Sequence, residues 1–386
     1  MKKAQNKKKG QWQQWIVVVL FMLIGVACGV LMARFVVQKA PEDSSFLENL
    51  IPLLVLFIGM YVGIFLQMTV HEAGHLVFGL KSGYQFSSFR IGSFMWLKKD
   101  GRIVCKKLSI AGTGGQCLMV PPQLQDGKIP VILYNLGGCI MNLVASAVFL
   151  VIYLLIPKGT VISLFCLMIV LIGVASALMN GIPLRLGTVD NDGYNALSLG
   201  KNPDAMRAFW LQLKVNDQIA NGIRLKDMPE EWFTMPGDEA MRNSMVATQG
   251  VSVTNRLMDQ QNFAEADRLI AHLLEIDSGI VGLHRSLMIC DRMYCELIRD
   301  NRKEVLEEML TKEQVKFMKA MKQFPSVIRT EYVYALLALK DTAKANAARE
   351  LFEKVAKTYP YPSDVQSERE LIEIADGVLK LHVQEG

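Results

Sequence analysis

Residues 51–75 read IPLLVLFIGMYVGIFLQMTVHEAGH, an apolar run that ends in two histidines and a glutamate. No charged side chain occurs between residues 51 and 70. A helix needs about 20 apolar residues to cross the hydrocarbon core of a bilayer, and this run has that length. The stretch therefore predicts a membrane-spanning helix that carries a cluster of polar side chains at one end.

The polar end of this helix has the spacing His71-Glu72-x-x-His75. Residues four apart lie on the same face of a helix, so both imidazoles can bind one metal ion. Glu72 lies beside that face and can reach a metal-bound water without being a ligand, which is the geometry of a zinc hydrolase. The pattern also occurs by chance in soluble helices, but an ionisable group in a membrane helix costs about 2.5–3.5 kcal/mol on insertion scales. A bound cation would offset that cost, so the membrane setting favours a metal site.

Three further uncharged runs are long enough to span a membrane: residues 16–33, 129–156 and 160–184. After about residue 200 the chain becomes charged and helix-periodic. We therefore predict a mainly α fold, in which a polytopic α-helical membrane domain of about four spans precedes a soluble α-helical domain. The predicted membrane domain is 1–199, with spans at about 12–37, 50–80, 129–156 and 160–184 and a cytosolic β-hairpin insert at 81–128, and the predicted soluble domain is 200–386.

Five lysines, at positions 2, 3, 7, 8 and 9, precede the first apolar run and predict a cytoplasmic N-terminus. That run exceeds the 7–15 apolar residues of a signal peptide, so we expect it to be retained. The second span then runs inward, which brings the histidines near the cytoplasmic face and its water. The sequence predicts a multi-pass cell-membrane protein with a cytoplasmic C-terminal domain, and this topology explains the net charge of +5 better than nucleic-acid binding does. The seven cysteines include no Cys-x-x-Cys pair and do not indicate a disulfide framework.

The insert contains a strong hairpin signal. Residues 89–97 and 102–110 flank the pair Asp100-Gly101, which is typical of a two-residue hairpin turn. A glycine-rich loop at 111–117 follows and includes Gly114 and Gly115. No Lys-Ser/Thr follows these glycines, as a phosphate-binding loop would require. We interpret the loop as a bent edge that lets another backbone come close.

The third and fourth spans supply further polar groups. Gly138, Asn142 and Ser146 recur every four residues, which is typical of a helix-packing face, and the intramembrane amide of Asn142 needs a partner. The fourth span ends in Asn180-Gly181-Ile182-Pro183, where proline breaks the helix.

Asp190 and Asp192 follow this break. A catalytic zinc site usually has three protein ligands and a water, and the two histidines supply only two. An aspartate from this segment is the predicted third ligand, although the motif Asp190-Asn191-Asp192-Gly193 by itself is more often a turn.

Together, His71-Glu72-x-x-His75, Asn180-x-x-Pro183 and Asp192-Gly193 resemble the motifs of the site-2 protease family of intramembrane zinc metalloproteases, over about residues 50–200. Gly114-Gly115 and Gly137-Gly138-x-x-x-Asn142 also resemble stretches that these proteins carry. The resemblance implies one Zn²⁺ per chain and assigns the following roles: His71, His75 and Asp192 as metal ligands, Glu72 as the catalytic general base, and Asn142, Asn180, Gly114 and Gly115 as substrate-binding residues.

The chain departs from the family pattern at two places. Residues 187–190 read as an insertion, which leaves Asp190 as an alternative third ligand, although Asp192 keeps its glycine. Cys139 stands where many relatives have proline. The 81–128 loop is too short for an added PDZ domain.

The soluble half is predicted to be a series of helices at 205–220, 239–260, 264–276, 283–298, 303–322, 329–339, 343–358 and 365–382. The sequence segments 263–269 and 347–352 suggest degenerate tetratricopeptide-like helical hairpins. Such stacked-helix modules usually bind peptides or proteins, so a cytosolic protein is a predicted partner.

The expected function is that of a zinc endopeptidase that cuts transmembrane or signal-peptide-like segments near the cytoplasmic face, with the lipid bilayer and a membrane-protein substrate as partners. Three alternatives stay open. One is a proteolytically silent membrane scaffold with a protein-binding domain. Another is a zinc transporter or store, which would need more ligands along several spans. A third is a metalloprotease class in which a later glutamate is the third ligand.

Overall fold

The computed structural model describes residues 15, 18–19, 22–35, 46–99, 101–109, 113–184 and 190–385. The fold is mainly helical with a small antiparallel sheet. It divides into two compact units, one of Met1–Tyr84 with Pro130–Lys201 and one of Gln85–Ile129 with Asn202–Gly386. The domain boundary that the sequence suggests at residue 199 stays a prediction.

The first unit is built from five described helices: α1 Met22–Phe35, α2 Phe46–Lys81, α3 Val131–Leu155, α4 Val161–Gly181 and α5 Asp192–Leu199. Three of them are long and apolar enough to cross a membrane, namely Leu50–Lys81 within α2, and α3 and α4. These three coincide with the second, third and fourth predicted spans. Part of the first predicted span, 12–37, lies outside the described residues, so the count of four stays a prediction.

Apolar side chains on the outside of this unit remain uncovered by protein. Ile58 of α2 is 62% exposed and Leu154 of α3 is 64% exposed. α4 is more enclosed, because half of its most apolar 18-residue segment is buried inside the protein. Large exposed apolar surfaces mark contact with lipid or another protein. We attribute these exposed apolar surfaces to contact with lipid, because the helices are long and apolar enough to cross a membrane.

Glycines set the distance between the helices. A Cβ atom added to Gly74 of α2 would lie 2.3 Å from the carbonyl oxygen of Gly137 in α3, so the two backbones touch. Gly59 and Gly63 of α2 instead contact α4 through Phe165 and Ile172. Small residues permit such close helix approach within membranes. As a result, the histidine-bearing turn of α2 is held directly against α3.

The break after α4 occurs where Pro183 predicts it. Asn191 organises the connection: its side-chain oxygen accepts hydrogen bonds from the amides of Leu184 and Tyr194, both at 3.0 Å. Its side-chain nitrogen donates to the carbonyls of Met179 at 2.8 Å and Ile182 at 2.6 Å. Irregular backbone at membrane depth needs internal partners of this kind. One buried amide thus fixes the start of α5 against the end of α4.

The insert forms a four-stranded antiparallel sheet in the order β3-β2-β1-β4, with strands β1 Gln85–Ile91, β2 Phe94–Lys99, β3 Arg102–Lys107 and β4 Gly115–Val120. The predicted hairpin turn is confirmed by the pairing of Lys99 with Arg102. The single predicted strand 89–97 is wrong, because the chain turns at Gly92, whose φ of +58° favours glycine. The insert is therefore larger than one hairpin.

The described residues of the second unit continue with nine α-helices: α6 Pro203–Ala220, α7 Ser244–Asp259, α8 Phe263–Glu275, α9 Gly282–Arg299, α10 Lys303–Met309, α11 Lys312–Ala320, α12 Pro325–Val333, α13 Thr342–Ala356 and α14 Pro362–Glu385. Most match the predicted ranges closely. The predicted single helix 303–322 is wrong, because Thr311 caps a new helix by accepting a hydrogen bond from the Gln314 amide. The tetratricopeptide-like character of the unit stays a prediction.

The sheet belongs to the same apolar core as these helices. Met95 and Leu108 of the insert are buried in one cluster with Tyr294, Val333 and Phe352. The indole of Trp210 in α6 also donates to the carbonyl of Pro122 at 2.9 Å. The insert is therefore held by the C-terminal helices through both apolar and polar contacts.

Candidate metal centre

His71 and His75 of α2 meet Asp192 of α5. The Nε2 atoms of the two rings lie 3.2 Å apart, and the Oδ2 atom of Asp192 lies 3.0 Å from Nε2 of His71 and 3.4 Å from Nε2 of His75. A tetrahedral zinc ion with bonds of about 2.0–2.1 Å separates its ligand atoms by about 3.3 Å. Two imidazole nitrogens and one carboxylate oxygen at these spacings fit such an ion. Within the described part of the chain, His71, His75 and Asp192 form a group of side chains that could hold a metal ion.

The far side of each ring fixes its tautomer. Nδ1 of His71 lies 2.7 Å from Oδ1 of Asn142, and Nδ1 of His75 lies 2.8 Å from the carbonyl oxygen of Tyr134. Because both partners are hydrogen-bond acceptors, each Nδ1 carries the proton and donates it. Each Nε2 then presents its lone pair toward Asp192, which is the arrangement that metal-binding histidines require.

The orientation of the Asn142 amide follows from its other contacts. Its nitrogen donates to the backbone carbonyl and to the side-chain oxygen of Gln67, both at 2.8 Å, which leaves Oδ1 for His71. Gln67 in turn donates to the carbonyl of Ile169 in α4 at 3.1 Å. Both amides are fully buried. A chain of hydrogen bonds therefore ties α2, α3 and α4 together and ends on the ring of His71.

Glu72 is also in this region. It follows His71 directly, is only 8% exposed, and interacts electrostatically with His75. A carboxylate that is buried beside a cationic site and is not one of the three converging ligands is suited to proton transfer.

A close contact between helices brings Asp192 to the imidazoles. A Cβ atom on Gly193 would lie 2.1 Å from the carbonyl oxygen of Gly181 and 3.1 Å from that of Asn180, so only glycine permits α5 to begin against the end of α4. Asp190, the alternative third ligand, is not in the converging group of the described residues.

The remaining predicted site residues have other surroundings. The side-chain amide of Asn180 donates to the carbonyl of Ser176 in its own helix at 3.0 Å. In the second unit, Gly114 directly precedes β4 and Gly115 begins it, and the Gly114 carbonyl accepts a hydrogen bond from the Gly92 amide at 2.8 Å. Their predicted role in substrate binding stays a prediction.

Sequence reasoning missed Gln67, Tyr134 and Asn191. Gln67 had a signal, because an amide in an otherwise apolar span needs a buried partner. Asn191 lies in the Asp190-Asn191-Asp192-Gly193 motif, where Asn is a common helix cap. Tyr134 accepts the hydrogen bond from His75 with its backbone carbonyl, and a pattern of side chains in the sequence cannot predict a backbone contact.

Comparison with known proteins agrees with this geometry. Residues 59–359 match the model of Peptidase family M50, the site-2 protease family. The chain therefore belongs to this family of membrane metallopeptidases, which is zinc-dependent in general. No curated protein and no solved structure matched the chain.

Proposed function

We propose that this protein is an intramembrane zinc endopeptidase that hydrolyses peptide bonds in transmembrane or signal-peptide-like segments near the cytoplasmic face. The observation that carries the proposal is the convergence of two Nε2 atoms and one carboxylate oxygen within 4.8 Å of one another, with both Nδ1 atoms engaged elsewhere. A cytoplasmic orientation is supported by the lysines that precede the first span.

His71, His75 and Asp192 would hold the ion. Bound zinc supplies a Lewis acid that lowers the pKa of water to about 7 and polarises the peptide carbonyl. Glu72 accepts a proton from the attacking water and then donates it to the leaving amine nitrogen. A helical substrate must unwind first, because its carbonyls are otherwise engaged in internal hydrogen bonds.

The contacts of Asn142 support a positioning role. Its side chain has 0% exposure, and its amide is bonded to both His71 and Gln67. We propose that Asn142 and Gln67 hold the His71 ring, and that substrate contacts come from Asn180, Gly114 and Gly115. The helices of the second unit would bind a cytosolic protein partner.

The metal content of the protein tests the proposal directly. We expect the full chain, purified in detergent without chelators, to contain about one zinc ion by emission spectroscopy, and to cleave a transmembrane reporter segment. Treatment with 1,10-phenanthroline should abolish cleavage, and added zinc should restore it. The non-chelating isomer 1,7-phenanthroline is the control. Metal-free protein that cleaves at the full rate would contradict the proposal.

Substitution of Gly138 should damage the site through His71. A Cβ atom there would lie 2.5 Å from Cε1 and 2.7 Å from Nε2 of the ring, so Gly138→Ala must displace a ligand. We expect zinc affinity and cleavage to fall at least about tenfold, as when the support of a metal ligand is removed.

Gly63→Ala is the matched control for this substitution. Its Cβ atom would lie 3.3 Å from the flexible end of Ile172, which can move slightly. We expect near-normal zinc content and cleavage. Equal zinc retention in the two variants, measured by competition with a zinc-binding dye, would show that the His71 ring is not confined by Gly138.

A further inference from the structure

The C-terminal helical unit contains a cavity of about 250 Å³. Its walls come from α7, α9, the start of α12 and the start of α14, together with the turn after α6. At about 30 Å³ per water molecule, this volume corresponds to roughly eight waters, which is the size of a small organic molecule. The metal centre lies in the other compact unit, so the proposed peptidase function does not use this cavity.

Acidic groups outnumber basic groups around it. Arg329, which is fully buried, donates to Asp291 at 2.5 Å and to Glu368 at 2.8 Å. Arg224 donates to Asp259 at 2.6 Å and to Glu370 at 2.9 Å. These four carboxylates therefore share two guanidinium groups. Three of the four, Asp259, Asp291 and Glu368, line the cavity together with Arg224. Asp364 also lines it, so acidic groups exceed basic groups among the lining residues.

Asp364 makes no side-chain hydrogen bond or ion pair with the described residues. Burial, together with the nearby charges of Glu368 and Asp259, raises the pKa of this carboxyl group to about 7. His284, which also lines the cavity, offers no compensating charge, because burial lowers the pKa of its ring. Among the described residues, Asp364 thus lines the cavity without a cation paired to it.

Tyr359 provides an independent indication of a ligand. The residue is only 7% exposed and lines the cavity, and its hydroxyl group has no hydrogen-bond partner among the described residues. That hydroxyl interacts electrostatically with Asp364 and Glu368, so it lies on the acidic side. Buried tyrosine hydroxyls usually have a partner. A molecule within the cavity would supply it.

We propose that this cavity binds an organic cation of the ammonium or guanidinium class, with Asp364 as its counter-ion and Tyr359 as a second hydrogen-bonding group. An anion would be repelled by the carboxylates. A metal ion fits poorly, because the carboxylate oxygens here do not converge as the described ligand atoms of the metal centre do. A free amine and the basic side chain of a peptide carry the same recognised group.

Calorimetric titration of the full-length protein at pH 8 distinguishes these two sources. The probes are agmatine and the peptide acetyl-Gly-Arg-Gly-amide, and the neutral control peptide carries citrulline in place of arginine. We expect at least one of the cations to bind, and the neutral peptide to bind at least about tenfold more weakly, because a charge-assisted hydrogen bond is lost. Binding of agmatine alone identifies a free-amine site, and binding of the arginine peptide identifies a peptide site.

Variants locate the binding. Asp364→Asn and Tyr359→Phe should each weaken binding of the cation, the first by about tenfold or more. Glu373→Gln, an exposed residue of the same helix, should leave affinity unchanged. Thermal unfolding of each variant checks that the helical unit is intact, and Asp364→Asn should keep the fold because burial already disfavours the charged carboxylate. Binding of neither cation, or equal affinity in the folded Asp364→Asn variant, would overturn the proposal and leave a water-filled cavity.

Discussion

Replacement of Glu72 by glutamine is expected to abolish cleavage and to leave zinc bound. Glutamine has the same shape as glutamate, but it cannot accept a proton near neutral pH. Positioned general acid–base catalysis contributes about 10²–10⁴ to a rate, so we expect kcat to fall by about a thousandfold. Because Glu72 is not one of the three converging ligands, zinc content should stay at about one ion per chain.

Glu308→Gln serves as the control for this experiment. Glu308 is an exposed residue of α10, and the same chemical change there should leave both zinc content and cleavage unaltered. Substantial cleavage by the Glu72→Gln variant would remove Glu72 from the mechanism. A proteolytically silent scaffold makes a different prediction, since neither the unaltered chain nor any variant would cleave the reporter.

Replacement of Asp192 by asparagine is expected to release the metal. Oδ2 of Asp192 lies 3.0 Å from Nε2 of His71 and 3.4 Å from Nε2 of His75, so it completes a three-ligand set. Loss of a supporting group outside the ligands typically costs 10–100-fold in metal affinity, and loss of a ligand should cost about a hundredfold or more. Dialysis against a weak chelator, followed by emission spectroscopy, measures the loss.

The parallel variant Asp190→Asn compares the two aspartates of one segment. We expect it to retain zinc, because Asp190 is not in the converging group of described residues. If the Asp192→Asn variant retained zinc and the Asp190→Asn variant lost it, Asp190 would be the third ligand in place of Asp192. If both variants retained zinc, the third ligand would have to lie elsewhere, for example at a later glutamate.

These two experiments also separate the peptidase from a zinc store. A store needs the same ligands but no general base, so Glu72→Gln would change nothing measurable in it. Membership of Peptidase family M50 favours the peptidase. The burial of Glu72 beside His75 also favours it, because a carboxylate in that position can act as the general base.

Much of the metal centre could be predicted from the sequence alone. The apolar run before His71 and the four-residue spacing to His75 fix a helix and one of its faces, because helix periodicity is a local property. Pro183 likewise predicts the break after the fourth span, since proline lacks the backbone donor that a continuing helix needs. Asp100-Gly101 predicts a hairpin turn for a similarly local reason.

The partners of these groups depend on packing between distant parts of the chain. His71 meets Asn142, 71 residues later, and Asp192, 121 residues later. These contacts follow from the touching backbones at Gly74 and Gly137 and from the start of α5 against Gly181, which no periodicity specifies. For the same reason, the sequence did not indicate that the insert shares an apolar core with the C-terminal helices.

The sequence by itself therefore determined the candidate residues of the metal centre, His71, Glu72 and His75, and the helix face on which the two histidines lie. Only the tertiary structure decided which aspartate meets the histidines, which oxygens fix their tautomers, and that an unpaired carboxylate lines a cavity in the second unit. The physical reason is that side-chain direction along one helix follows from local backbone geometry, whereas the pairing of buried polar groups follows from how close the helices come.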